Sequence, residues 1–185
     1  MLLLPGSVAL SAPRFSRLSA QITELDPTLR LKRAFFVYAV DTSDDVDEDK
    51  LSALLQPGTS VEPVGDELSQ QELVVVAPRF GAISPWSSKA TNIAQNCGFE
   101  GVNRIERAVV YVIEGLHQST HAAQAAALLH DRMVEVALDS IQRIEGLFTE
   151  IEPRPLATVA VVDEGRVALA DANASLGLAL ADDGI

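Results

Sequence analysis

The chain carries one cysteine, Cys97, in 185 residues. An internal disulfide is therefore excluded, and the low cysteine content suits a reducing compartment. Aromatic residues make up 5% of the chain, with Trp86 the only tryptophan, so a core must be built mainly from aliphatic side chains. Positive charge is also scarce: 14 Lys and Arg stand against 26 Asp and Glu, a formal charge of −12. Nucleic acid is not an expected partner, because phosphate binding requires clustered Lys and Arg. No apolar run approaches the roughly 20 residues of a membrane-spanning helix. The opening Met1–Pro5 is too short for a signal segment and has no basic flank. Composition thus predicts a soluble, cytoplasmic protein with no membrane partner.

What is present is a hydrophobic fraction of 48%, enough for a globular fold, in a chain long enough to bury a real core. Pro and Gly divide it into alternating strands and helices. Leu2–Leu4 and Val8–Leu10 read as two short strands separated by Pro5-Gly6. Ser11-Ala12-Pro13 starts a helix to Leu25, with Phe15, Leu18 and Ile22 on its apolar stripe. A strand over Leu31–Val40 follows, then an acidic loop, Thr42 to Asp45, that caps a helix Asp47–Gln56 ended by Pro57-Gly58. Residues 57–70 form a polar connection. The second half repeats the order: strand Leu73–Ala77, helix Ser84–Asn96, strand Asn103–Ile113 and helix Thr120–Ala137.

The repetition is also literal. Ala9-Leu10-Ser11 matches Ala82-Ile83-Ser84 at an offset of 73, while Arg33-Ala34-Phe35-Phe36 matches Arg107-Ala108-Val109-Val110 and Ala53-Leu54-Leu55 matches Ala127-Leu128-Leu129 at 74. The predicted fold is α+β: internally duplicated strand-helix-strand-helix units forming a pseudo-twofold layered sheet/helix domain over residues 1–150. Ser140–Phe148 reads as a helical extension. Glu152-Pro153-Arg154-Pro155 marks a boundary, since two prolines in three residues break both helix and sheet. Residues 151–185 read as a mostly helical linker. Within them lie a β-branched run, Val159–Val162, and a helix, Glu164–Leu180, with Val167, Ala170, Ala174 and Leu178 at helical spacing.

The least generic stretch is Pro78–Arg107. Ser84-Pro85 reads as a cap and first helical position, Ile93 and Cys97 lie four apart on one predicted apolar face, and Gly98 sits where a left-handed terminator is wanted. Ser87, Ser88 and Lys89 cluster with the first N–H groups, an arrangement that is either an ordinary capped helix or an anion site. Trp86 is either a half-buried core ring or an anchor for a partner. In the next strand, alternation puts Arg104 and Glu106 on one face and Ile105 and Arg107 on the other. The choice there is between cross-strand pairing and a face turned to a neighbouring domain.

Other chemistry is thin. Cys97 lacks a nearby base and sits on the predicted apolar face, so it reads as structural. His117 and His121 are four apart but outside any zinc motif, and a surface or capping role is expected. Asp131 and Arg132 read as a solvated or interdomain face. Gly98 and Gly101 form no phosphate loop, and the acidic run from Thr42 to Asp49 lacks the Gly and terminal Glu of a calcium loop.

The run Ile83-Ser84-Pro85-Trp86-Ser87-Ser88-Lys89-Ala90-Thr91, with Asn96-Cys97-Gly98, Arg104-Ile105-Glu106-Arg107 and Leu128-Leu129-His130-Asp131-Arg132-Met133, resembles the N-terminal signature of the large, glutamine-dependent phosphoribosylformylglycinamidine synthases. By overall pattern the resemblance runs from Leu2 to Asp183. It departs at Phe80, Ala82, Asn92, Gln95 and Ala108, where the family usually has Pro, Thr, Asp, His and Gly. The changes at Asn92 and Gln95 put a charge or proton-transfer role there in doubt.

The resemblance implies a purine-pathway ligase that uses ATP, magnesium and glutamine-derived ammonia to convert formylglycinamide ribonucleotide to the amidine. The ATP-binding, substrate-binding and glutaminase segments of that family lie downstream, and its glutaminase cysteine belongs to a C-terminal domain. This chain therefore looks like an N-terminal fragment, a scaffold domain (1–150) plus the start of a linker (151–185), inactive alone. No catalytic residue, metal ligand or cofactor is expected within it; its expected partners are the downstream synthetase and glutaminase domains of the same polypeptide. In the family this segment is similar to a dimer of a small subunit that other bacteria supply in trans, so a stand-alone, non-catalytic module acting in trans is the alternative. The candidate interdomain or anion-facing residues are Ser84, Trp86, Ser87, Ser88, Lys89, Asn96, Arg104 and Arg107.

Overall fold

A computed structural model describes residues 1–43, 45–55, 72–149, 152 and 155–184. The expected capping role of Asp44, the stop at Pro57-Gly58, the polar connection and the break at Pro153-Arg154 lie outside the described residues. The chain divides into two units, Met1–Glu150 and Ile151–Ile185.

The first unit is α+β, built on one five-stranded antiparallel sheet. Its strands are β1 (Leu2–Val8), β2 (Arg30–Thr42), β3 (Leu73–Pro78), β4 (Val102–Glu114) and β5 (Glu135–Leu138), in the order β1-β2-β4-β3-β5. The two long strands lie together at the centre, with Phe35 opposite Val110 and Phe36 opposite Val109. Among the described residues four helices accompany them: α1 (Ala12–Leu25), α2 (Glu48–Leu55), α3 (Pro85–Asn96) and α4 (Ala122–Leu129).

Strand alternation sorts the core. Ala34, Tyr38 and Val40 of β2, with Ile105, Tyr111 and Ile113 of β4, pack in the clusters that contain the helix residues Ile22, Leu51, Ala90, Ala94 and Ala125. The intervening Phe35, Val37, Ala108 and Val110 pack instead with Ile141, Ile144 and Leu147 of a 3₁₀ segment, Ile141–Phe148. Both faces of the central strands are thus dry, which is why Leu73–Ala77 and Ala108–Ile113 read as apolar runs and not as alternating ones.

Most predicted elements are present; the exceptions are informative. The two short N-terminal strands are one strand, β1, whose pairing with β2 shifts register between Pro5 and Val8. An edge strand tolerates a proline that a central strand would not. The long helix predicted over Thr120–Ala137 ends at Leu129. An Asp131 turn follows, in which the carboxylate accepts the Met133 N–H (2.8 Å) and the carbonyl accepts those of Val134 and Glu135. Glu135–Leu138 then pairs with β3. On α3 the buried face is Ser87, Ala90 and Ala94, not the predicted Ile93 and Cys97, both of which are exposed. Small residues let this helix approach the sheet closely, and the expected burial of Cys97 is corrected accordingly. Gly98 does take the left-handed conformation, with φ +94°.

Among its described residues the second unit contains one helix, α5 (Val161–Leu176), interrupted by non-helical Gly165 and ended by left-handed Gly177. It begins inside the stretch read as a β-branched run. Its buried residues are Ala168 and Ala172, whereas Val167, predicted on the apolar stripe, is exposed.

Candidate functional site

The signature stretch is held by a buried carboxylate. β4 extends past the end of β3, and the loop from Arg79 to Ser84 crosses the exposed length of the strand. Glu106 projects there, fully buried, and accepts the Ser84 N–H (3.1 Å) and the Ser84 hydroxyl (2.8 Å). The same Ser84 hydroxyl accepts the Ser87 N–H at 3.0 Å, capping α3 as its spacing predicted. Arg104 pairs with Glu106 at 2.6 Å and donates also to the carbonyls of Leu147 (2.9 Å) and Ala82 (2.7 Å). One ion pair therefore joins the loop, the start of α3, β4 and the 3₁₀ segment. A buried carboxylate would be costly alone; here its charge and its lone pairs are matched.

A second cluster lies on the other face of β4. The Arg107 guanidinium sits over Phe36 (4.3 Å) and Trp86 (4.9 Å), and Trp86 stacks on Tyr38 with ring centroids 5.6 Å apart. Burial lowers the Arg107 pKa, only partly offset by Tyr38, and raises that of the Tyr38 phenol, with Arg107 opposing. Trp86 is half-buried among these rings. Its π face also supports a cation.

Of the eight candidate residues, Ser84 and Arg104 meet through Glu106, and Trp86 meets Arg107. Ser87 is buried with its hydroxyl unpartnered among the described residues. Ser88 and Lys89 are exposed, and Asn96 stands at the far end of α3 with its amide donating to Asn92 at 3.0 Å. These last three are not brought together with the others. Sequence reasoning placed Glu106 beside Arg104 by alternation but missed that this carboxylate holds the cap residue of α3. A charged residue between Ile105 and Ala108 in a buried run was the available signal.

Three of the five residues at which the sequence departs from the resembled pattern make identifiable contacts. Phe80 lies against Gly146 so closely that a Cβ there would come within 2.8 Å of its ring. Gln95 donates to the Val102 carbonyl at 2.9 Å, and Ala108 is core. Beside the loop is a cleft of about 500 Å³ whose walls include Phe80, Ile83, Pro85, Met133 and Val134. Ile83, Met133 and Val134 are well exposed.

Two further carboxylates fasten the opposite end of the sheet. Glu72 accepts the N–H groups of Gly115, Leu116 and His117 and lies 3.3 Å from the His117 ring. Burial pushes its pKa up, but the three donors and His117 outweigh that and leave it lowered. Asp26 is held well below the carboxylate range by the Ser119 hydroxyl and by Thr28, with a smaller contribution from His121. His117 and His121, expected in a surface or capping role, thus lie beside structural acids. Among the described residues no group of three or more His, Cys, Asp or Glu could hold a metal ion, and no helix is long and apolar enough to cross a membrane.

Fold and site together define an antiparallel α+β domain whose signature residues fasten secondary-structure elements to one another. Residues 32–148, from β2 to the end of the 3₁₀ segment, match the family described as formylglycinamide ribonucleotide amidotransferase N-terminal. The match spans more than half of the chain, which therefore belongs to that family.

Proposed function

We propose that this chain is the N-terminal scaffold and the start of the linker of a formylglycinamide ribonucleotide amidotransferase, and that it organises the catalytic domains without catalysing the reaction itself. The observation that carries this reading is the use made of the signature. Ser84, Arg104, Trp86 and Arg107 are consumed in fixing α3 and its loop against β4, leaving the apolar rim of the adjoining cleft exposed. A stretch so specific that is spent on shape presents a surface. Its occupant on this reading is the downstream synthetase part of the same polypeptide, with Ser88 and Lys89 available on the outer side of α3. ATP, magnesium and glutamine chemistry belong to those downstream domains, in the cytoplasm.

The central strand pairing supports an internal duplication as well. Carrying Phe35 and Val110 across the 74-residue offset exchanges them for Val109 and Phe36, which also face each other. The symmetry is confined to the centre: Leu2 opposite Val40 would map to Val76 opposite Glu114, whereas Val76 faces Val109. Residues 72–150 expressed alone should then form a homodimer through β4; a monomer by light scattering removes the reading.

The scaffold role is tested by mixing this chain with a polypeptide comprising the remainder of the synthetase and assaying ATP- and glutamine-dependent amidine formation. Activity should require both, and neither alone should turn over. A remainder that is fully active by itself overturns the assembly role.

A further inference from the structure

The outer groove between α1 and α4 breaks several local rules at once. Arg14 and Arg17 sit in the first two turns of α1, three residues apart on one side, at the positive end of the helix dipole. Like charges at that spacing repel, and cations are disfavoured at a helix N-terminus. Neither has an acidic partner among the described residues, although the chain has nearly twice as many acids as bases. The helix has no acid in its first turn, and Ser11 makes no side-chain cap. Between α1 and α4 lies a cleft of about 180 Å³ lined by Arg14, Arg17, Gln21, Tyr111 and Leu128. Tyr111 comes up from β4 beneath the helices, 6% exposed, and lines the cleft. Sites where local preferences are broken without internal compensation are where function is expected.

We propose that this groove binds an oxyanion, a phosphate or phosphate monoester group, on the guanidinium groups of Arg14 and Arg17 with the Tyr111 hydroxyl beneath. The donor set fits. Two planar guanidinium forks and a phenol supply donors only where a tetrahedral anion needs them, and Gln21 adds an amide. A bound anion offsets the arginine repulsion. The opposing group is Glu135, which acts on the Tyr111 hydroxyl against Arg14; its Oε2 is engaged by the Asp131 N–H at 2.8 Å. Its two arginines and Gln21 lie on α1, outside residues 32–148, whereas Tyr111 and Leu128 lie within them; the site does not rest on the scaffold reading.

The test is calorimetric titration of the full chain with inorganic phosphate and with glycerol 3-phosphate at low and moderate salt. Saturable binding weakened by salt is expected. Arg14→Gln and Arg17→Gln should each weaken it about tenfold and Tyr111→Phe about threefold, while Glu135→Gln tightens it and Lys50→Gln changes nothing. Arg14, Arg17, Glu135 and Lys50 lie outside the core clusters, and Tyr111→Phe keeps the core ring and removes only its hydroxyl. Tighter binding of the ester assigns an organic phosphate; equal binding assigns the free anion. Absence of saturable binding to either probe overturns the proposal, as does unchanged binding by the Arg14→Gln/Arg17→Gln variant.

Discussion

Glu106 is the residue on which most of the signature converges, and its energetics are asymmetric. Replacing it alone leaves Arg104 partly buried beside two carbonyls and strips Ser84 of its acceptor. Glu106→Ala should therefore lose about 3–5 kcal/mol in urea unfolding, as removal of one partner of a buried pair does. The double replacement Arg104→Met/Glu106→Leu should be less damaging than the two single losses added, because no charge is then stranded. Strictly additive losses would show that the two side chains act separately. The acids at the other end predict a pH dependence. Asp26 and Glu72 both have lowered pKa values in the folded chain, so their stabilisation is complete above the ordinary carboxylate range and is lost as pH falls through the folded values. Denaturant midpoints should thus drop between neutral and acid pH, and Asp26→Asn/Glu72→Gln should flatten that drop. A slope unchanged in the double variant would assign it to other groups.

At the scale of elements, local pattern reached far and then met pairing. Caps, Pro and Gly placed α1, α2, α3 and the central strands within a few residues, because their signals are contiguous. β5 was hidden since Val134 and Ala137 continue the apolar period of α4; what turns Glu135–Leu138 into a strand is the free edge of β3, which no local window contains. The buried face of α3 was misread for a related reason. Ile93 is the larger apolar residue, but the sheet admits the alanine side, where backbones come closest. β1 offers a direct check on close approach. A Cβ on Gly6 would fall 2.3 Å from the Phe36 carbonyl oxygen and 2.6 Å from Phe36 Cβ, atoms that cannot swing away. Gly6→Ala should cost about 1–3 kcal/mol and loosen β1 first, seen as faster amide exchange in Leu2–Leu4 than in β4. Equal protection in both strands would mean that the edge absorbs the methyl group.

For the whole molecule, the succession of strands and helices could be read from Pro, Gly and apolar periodicity, but neither the order of the strands in the sheet nor the contents of the site could. Sequence alternation paired Arg104 with Glu106 and spacing capped α3 with Ser84; that these are one cluster depends on the loop that leaves β3 crossing β4, its neighbour in the sheet. Conversely, Lys89 and Asn96, adjacent in the motif to the buried residues, turn away because helix geometry puts them on other faces. The consequence is a division of labour that can be measured. Ile83 and Met133 line the cleft with most of their surface open, Met133 at 77%, so a charge at either meets water in the isolated chain. Ile83→Glu/Met133→Glu should leave the thermal midpoint of this chain nearly unchanged, since exposed substitutions away from caps and core fall within about 0.5 kcal/mol. Mixed with the rest of the synthetase, the same variant should bind weakly and restore little amidine formation, because two desolvated carboxylates oppose an apolar contact. Loss of stability in the isolated chain would mark the cleft as part of its own fold, and full restoration of activity would place the contact with the catalytic domains on another face, with the exposed outer side of α3 and its Lys89 as the next surface to charge-reverse.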